Sequence, residues 1–595
     1  MPQSRSLTLP RPGMVNGGQR LLALALLLAL AAAGQIVVAS SAGAVEGVSV
    51  ETMTVDAAGT GNVELDTSLY LPATAAAEPA PAVVIGHGFG GSKDSVDTQA
   101  QALAGAGYVV LTYSARGHGA SGGLIGLNDP DFEIADLSQM IDLLADRPEV
   151  QVDSDGDPVV GVTGASYGGA LSLLGAAYDD RIDAIVPEIT WSSLTRALFP
   201  DQAGSPEDEA FAGAPAPADD GVFKKLWAGL FFSTSGLPTP GSAGGGSPEA
   251  LAGADLTCGR FRTEICAAYQ EAAVTGRLTP EISAILDRSS PASVLDRIEA
   301  PTLLIQGMAD TLFPLSEADA NARGIAENGT PVKVVWYRGG HDGSTDPDDA
   351  VRLRNLMLTW FDHYLKGTGP DPGTTFEFPE PNGLAAGLSA SGDADERISS
   401  VPAYPGLPSN DGSAPDAESS DLALSGPPVQ LIVNPAGGLP AAISTIPGLS
   451  AGLSSLGGAL GGGALLDIPG QSAFFSTAPV EGRTDIVGSV RSQVLVASPT
   501  GTAVLFAKLY DTTEDGSPTL LGGAAPLRLS GLSADAASAE PVDITLPPIV
   551  HRLEAGHSLV LVLSTTDQGY SSPVEPQVYG LGLPSGAGLT VPTVT

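Results

Sequence analysis

Two cysteines in 595 residues exclude a disulfide framework and any Cys-rich zinc or iron–sulfur site. Bases are scarce too: 27 Lys and Arg stand against 67 Asp and Glu, a formal net charge of −40. That field repels phosphate backbones and anionic lipid surfaces, so nucleic acid and membrane surface fall away as partners. Charged residues are only 16% of the chain, so the acidity reflects missing bases rather than dense carboxylates. Six histidines leave a short search for a catalytic imidazole. Apolar residues, by contrast, make up 43%, which excludes a disordered chain and at this length asks for two or three domains.

Arg5, Arg11 and Arg20 precede an uninterrupted apolar run over residues 21–33, and Ala42-Gly43-Ala44 has the small-x-small form of a cleavage site. Residues 1–44 are therefore expected to be a secretory signal peptide, and the mature protein to be secreted with no stable membrane span. In an oxidising compartment Cys258 and Cys266 are free to pair.

Residues 45–367 alternate short β-branched runs, each bounded by Gly, Pro or Asp, with helical segments. Residues 63–71 alternate like a half-buried strand, and the runs lie at 81–85, 108–112, 159–163, 182–187, 301–306 and 332–336. Such runs describe parallel strands covered on both faces, and the alternation predicts a doubly wound α/β sheet. One crossover, residues 188–300, is far too long and carries its own helical pattern. At 223, 226, 227, 230 and 231 apolar residues form an amphipathic stripe, and Thr279-Pro280-Glu281 opens another helix. This insertion is expected to be a helical cap over the carboxyl edge of the sheet. Lys366 to Gly373 reads as a linker ending the domain. Residues 368–595 read as an all-β domain, a sandwich or jelly roll, with an uncharged Gly-rich loop insertion within 422–466, placed around 436–470.

The sharpest chemical signal is Gly164-Ala165-Ser166-Tyr167-Gly168-Gly169, directly after one β run and before an apolar helix. That context is a nucleophile elbow: small neighbours let strand and helix approach, and the serine sits on a strained turn at a helix N-terminus. There the Tyr167 N–H faces a developing oxyanion. The base must come later. His341, in Gly339-Gly340-His341-Asp342-Gly343 after the run at 332–336, is placed to reach Ser166; His551 and His557 fall in the β domain and His363 on a helix. Asp310, after the run at 301–306, is the expected acid, with Glu188 its competitor. His87-Gly88-Phe89-Gly90-Gly91 turns backbone N–H groups towards the site, with Phe89 N–H as the second oxyanion donor, while Arg116 and His118 brace it. Asp153, Asp155 and Asp157 alternate around Gly156 without the twelve-residue calcium loop, so they read as a solvated turn with calcium as the alternative. The cap carries Trp191, Phe199, Phe211, Trp227, Phe231 and Phe232, which either form its own core or line an acyl pocket. It also carries acidic residues Glu207, Asp208, Glu209, Asp219 and Asp220, one of which could hold a substrate amine.

In order along the chain, HGFGG, YSARGHGASGG, GASYGG, GMADTLFPL and GGHDG, then AKLYDTTEDG and GHSLVLVLSTTD, resemble the serine hydrolases that include X-Pro dipeptidyl-peptidases, cocaine-esterase-like acylesterases and α-amino-acid ester hydrolases. The resemblance spans nearly the whole mature chain. It implies an α/β-hydrolase sheet with a C-terminal, galactose-binding-like jelly roll. It places the nucleophile on Ser166, the acid on Asp310, the base on His341 and a backbone oxyanion donor on Tyr167. One motif departs: where the family usually carries an oxyanion tyrosine, this loop has Phe89, which counts against specific dipeptidyl-peptidase activity but not against hydrolysis. The expected activity is cleavage of a small-molecule or peptide ester or amide through an acyl-enzyme, with no cofactor. Two rivals are a carboxylesterase or lipase-like enzyme without peptidase activity, and an inert surface protein that binds through its jelly roll.

Overall fold

The computed structural model describes residues 47–58, 63–204, 211–213, 220–234, 258–381, 398–409, 417–438, 440–445, 447 and 467–594. The segment expected to be a signal peptide, the acidic residues 207–209 and 219, and much of the Gly-rich segment lie outside them. Among the described residues no helix is long and apolar enough to cross a membrane.

The β-branched runs form the strands the pattern predicts. In chain order the hydrolase half holds β1 (Val48–Asp56), β2 (Glu64–Pro72), β3 (Ala82–Gly86), α1 (Asp97–Gly105), β4 (Val109–Tyr113), α2 (Ala135–Ala145), β5 (Val160–Ala165), α3 (Tyr167–Tyr178) and β6 (Ile182–Glu188). The cap follows with α4 (Leu194–Leu198), α5 (Lys225–Thr234), α6 (Thr263–Thr275) and α7 (Pro280–Arg288). Then come β7 (Thr302–Gly307), α8 (Leu315–Ala326), β8 (Val332–Tyr337), α9 (Pro347–Tyr364), β9 (Phe376–Pro379) and β10 (Ile398–Val401). The sheet order is β1-β2-β4-β3-β5-β6-β7-β8-β9-β10, parallel from β4 through β9. The central strands are buried on both faces, which is why they read as continuous apolar runs rather than alternating ones.

The domain boundary expected at 367 is corrected. After the linker, β9 pairs parallel with β8 and β10 pairs with β9, so the hydrolase sheet extends to Val401. Phe376 and Tyr404 pack on Trp336 and belong to this core. Both strands have four residues, too short to show a period.

The all-β half contains β11 (Glu418–Ser425), β12 (Gln430–Asn434), β13 (Ser472–Thr477), β14 (Thr484–Gly488), β15 (Arg491–Ala497), β16 (Ala503–Thr512), β17 (Pro518–Leu529), β18 (Pro541–Thr545), β19 (Ile549–Leu553), β20 (Ser558–Ser564), β21 (Gln577–Gly582) and β22 (Gly588–Thr593). Antiparallel strands run β12-β21-β15-β22-β11-β13-β20-β16-β17, with β11 bridging two layers that share one apolar core. Residues 422–434, read as part of the uncharged loop insertion, instead complete β11 and form β12. The rim of the remaining insertion is tied down: the buried Asp467 carboxylate meets Lys508 Nζ at 2.5 Å and accepts from the Tyr510 hydroxyl at 2.7 Å.

The two halves meet at the cap. Gln202 N–H donates to the Pro526 carbonyl (2.8 Å), Leu226 N–H to Gly569 (3.2 Å) and Ser571 N–H to Phe223 (2.8 Å). The Arg528 guanidinium donates to the carbonyls of Gly221 (2.9 Å) and Gly276 (3.1 Å). Inside the cap, Cys258 and Cys266 form a disulfide.

Where β5 turns into α3, backbone meets backbone. A Cβ on Gly168 would lie 2.1 Å from the Gly86 carbonyl oxygen, and one on Gly164 2.4 Å from the same atom. Neither neighbour is a side chain that can swing away. Gly168→Ala is therefore expected to destabilise the fold by about 3 kcal/mol in denaturant unfolding, whereas Gly586→Ala, at φ +79° in open space, costs about 1 kcal/mol. Equal losses at the two positions would refute the close-approach account.

Candidate active site

The glycine contacts force the turn between them. Ser166 has φ 58° and ψ −113°, a left-handed backbone that a serine adopts only when its surroundings impose it. Its N–H is held by the Glu188 carbonyl at 2.9 Å, and its carbonyl accepts from the Thr190 hydroxyl at 2.8 Å. The turn presents Oγ at the N-terminus of α3.

His341 Nε2 lies 2.9 Å from Ser166 Oγ, and Nδ1 lies 2.6 Å from Asp310 Oδ2. Nδ1 faces a carboxylate and so carries the proton, which leaves Nε2 to accept from the serine. The Asp310 side chain is fully buried. Its Oδ1 accepts the Leu312 and Phe313 N–H groups at 3.1 and 2.7 Å, and Oδ2 accepts the His341 N–H at 3.3 Å. Because β7 and β8 are parallel neighbours, paired from Val332↔Thr302 to Tyr337↔Gly307, the loops carrying Asp310 and His341 leave the sheet side by side. The two loops are laced together by Ala309 N–H to Gly339 O (2.7 Å) and Asp342 N–H to Ala309 O (3.0 Å).

Burial disfavours the charged imidazole of His341. The Asp310 charge, the hydrogen bond to it and the Asp342 charge outweigh that effect, so the His341 pKa stands above its ordinary value of 6.5. Glu188, the competing acid, does not reach His341; withdrawal from water pushes its carboxyl up to about 7 and it pairs with Gln99.

The remaining expected groups surround the serine. Among the described residues the N–H groups of Tyr167 and Phe89 have no hydrogen-bond partner, as oxyanion donors require. The Phe89 ring is a pocket wall, in contact with His118, Tyr167, Phe231 and Phe261. His87 and His118 are buried and neutral, lowered to about 4 and about 3 by desolvation. His87 Nε2 accepts from Ala115 N–H at 2.9 Å, which ties the first glycine loop to the next. Arg116 forms a buried pair with Asp136. Asp153, Asp155 and Asp157 lie on a small surface hairpin, and no cluster of three metal-ligating side chains occurs among the described residues.

Four of the six cap aromatics, Trp191, Phe199, Phe231 and Phe232, line a pocket that opens at Ser166. Trp227 flanks it, edge-on to His341 at 5.9 Å between ring centroids. Phe211 lies elsewhere, stacked on Trp336 in the hydrolase core. The polar residues of the described lining are Ser166, Tyr167 and Tyr269; it contains no Asp, Glu, Lys or Arg. Asp220, the described member of the acidic set, pairs with Arg277 and binds the Leu278 N–H, away from the pocket.

Sequence reasoning passed over a buried corner behind the elbow. Asn128 Nδ2 donates to the Tyr167 carbonyl at 2.8 Å, and its N–H donates to the Tyr167 hydroxyl at 3.0 Å. The Glu133 carboxyl, pushed up to about 7 by burial, accepts from Gly126 and Asp129 N–H. The one local clue was Asp129-Pro130, a helix-start pair that draws no attention to Glu133.

A strand-to-helix serine elbow, with an acid and a histidine on the loops after β7 and β8, defines a serine hydrolase with an α/β-hydrolase domain and an all-β C-terminal domain. A family model described as X-Pro dipeptidyl-peptidase (S15 family) matches residues 60–342, and one described as the X-Pro dipeptidyl-peptidase C-terminal non-catalytic domain matches 463–580. The first half of the chain thus matches that family's catalytic model and the second half its C-terminal domain model. Among solved structures it is similar to an aminopeptidase from a marine-sediment Thaumarchaeota archaeon (TM-score 0.61, 14% identity, 92% of this chain and 97% of that one). It is also similar to a CocE/NonD family hydrolase from Staphylococcus aureus (0.59, 15%, 92% and 96%) and to an α-amino acid ester hydrolase (0.59, 14%, 94% and 100%). At these identities the likeness is one of fold. No curated protein matches the sequence.

The base must be neutral to accept the serine proton, so kcat/KM is expected to fall as pH drops through a pKa above 6.5. Asp310→Asn removes the charge that raises that pKa. It should move the ascending limb to lower pH and cost about 10⁴ in kcat. A limb unmoved in the variant would show that Asp310 does not set the histidine.

Proposed function

We propose that this chain is a secreted serine hydrolase that cleaves esters of uncharged, apolar acyl groups through an acyl-enzyme. His341 takes the proton from Ser166 Oγ as the oxygen attacks the acyl carbonyl carbon. The resulting oxyanion lies against the N–H groups of Tyr167 and Phe89. His341 then returns its proton to the leaving oxygen, and water, deprotonated by the same imidazole, releases the acid. The observation that carries this reading is the 2.9 Å Ser166–His341 contact at the mouth of a pocket with an apolar lining. Secretion rests on the leader in residues 1–44.

A second reading, dipeptidyl-peptidase cleavage, has the family match in its favour. It requires a group to hold a free α-amine, and the described lining offers no carboxylate for that purpose.

Ser166→Ala is expected to cost about 10⁶ in kcat and to abolish labelling by a fluorophosphonate, with the fold intact. If either survives, Ser166 is not the nucleophile. Across p-nitrophenyl esters from butyrate to octanoate, each buried methylene contributes about 0.8 kcal/mol, so kcat/KM should rise by about 200-fold. Free and N-acetylated Ala-Pro amides should differ little. A preference for the free amine of about 2–4 kcal/mol would replace the esterase reading with the peptidase one.

A further inference from the structure

Lys224 stands immediately before α5 and is buried, 4% exposed. Its ammonium donates to the Thr311 carbonyl at 2.7 Å and the Leu312 carbonyl at 2.9 Å, the two residues that follow Asp310. One turn along, Trp227 Nε1–H donates to the Thr311 hydroxyl at 3.2 Å. Thr311 in turn donates from its N–H (2.6 Å) and its hydroxyl (2.5 Å) to Asp342 Oδ2, next to His341. The start of one cap helix is thus bonded to the acid loop, and the acid loop to the histidine loop. Ala228, Phe231 and Phe232 of the same helix line the acyl pocket.

A buried ammonium is a costly way to satisfy two carbonyls. Desolvation lowers Lys224 to about 8, against the pull of Glu317, Asp310 and Asp342. If packing were all that mattered, an isosteric apolar side chain would serve as well or better. We infer that Lys224 is a positioning residue of the triad, clamping the Asp310 loop from the cap so that the carboxylate stays aimed at His341 Nδ1. The inference rests on the serine-hydrolase reading above.

The geometry makes a second consequence measurable. The charges facing His341 are Asp310 and Asp342 from the two loops and Lys224 from the cap. Lys224 opposes protonation of the imidazole that the carboxylates favour. Facing Lys224 are Asp310, Asp342 and Glu317, with Arg196 and Asp201 across the adjoining small cavity.

The test compares the full-length protein with its Lys224→Met and Lys224→Arg variants on one p-nitrophenyl ester, with thermal unfolding followed in parallel. Lys224→Met is expected to lower kcat about 10- to 100-fold with KM within about threefold, since misaligned catalytic groups cost rate rather than affinity. The ascending limb of kcat/KM should shift to higher pH, because the cation opposing protonation of His341 is gone. Lys224→Arg, which keeps the charge, should leave the limb near its original position. A wild-type kcat with an unmoved limb, or a loss confined to KM, overturns the inference. Should Lys224→Met fail to fold, Trp227→Phe carries the test: it removes the Nε1 donor, keeps the ring, and is expected to lower kcat about three- to tenfold at unchanged KM. A wild-type kcat there overturns it equally. Loss of activity in Ser166→Ala in the same assay tests the underlying reading separately.

Discussion

The Asp310 carboxylate is the constraint on which the site is built. A fully buried anion is tolerated only when its lone pairs are met, and here four N–H groups meet them: Leu312, Phe313, and the backbone and ring of His341. The first two bonds bend the chain after β7 into a tight loop. The other two recruit the loop after β8. Satisfying one charge therefore also fixes the distance between the loops, the imidazole tautomer and the direction of Nε2 towards the serine. The glycine-forced elbow at Ser166 supplies the remaining point independently, from β5 and α3.

Around this polar line the structure is apolar. Cap helices α5, α6 and α7 and the Phe89 loop enclose the space above Ser166, and the all-β domain supports the cap from outside through backbone bonds at Gln202, Phe223 and Leu226. Excluding water in this way strengthens each hydrogen bond of the triad and of the oxyanion donors. It also explains the position of the second domain. Apolar residues of the four cap helices join the hydrolase core, while Val222 packs against the all-β domain, so the cap lies between the two.

Much of this was legible in the residues. The elbow announces itself because its geometry is local: two glycines, a serine and the change from a β-branched strand to an apolar helix lie within ten residues. The parallel strands announce themselves because burial on both faces removes alternation. The histidine followed from its place after the last long strand. Less legible were strands β9 and β10, four residues each, whose pairing with β8 depends on a return across the linker. The strand content of 422–434 was hidden by a composition rich in Pro and short of charge.

What the sequence determined by itself is the chemistry that neighbours along the chain can build: the strained nucleophile, the glycine loops and the order of serine, acid and base. What only the tertiary structure decided is which distant groups meet. Glu188 ends β6 and Asp310 lies in the loop after β7, and the pairing of β7 with β8 is what puts Asp310 rather than Glu188 beside His341. Lys224 carries no local signal, and its place is set only when the fold brings the acid loop against it. Four cap aromatics face the serine and one joins the hydrolase core, a division set by how the cap lies on the sheet. The physical reason is common to all three: turn and strand propensities act over a few residues, whereas burial, charge compensation and pocket lining depend on contacts between groups 31 to 175 residues apart.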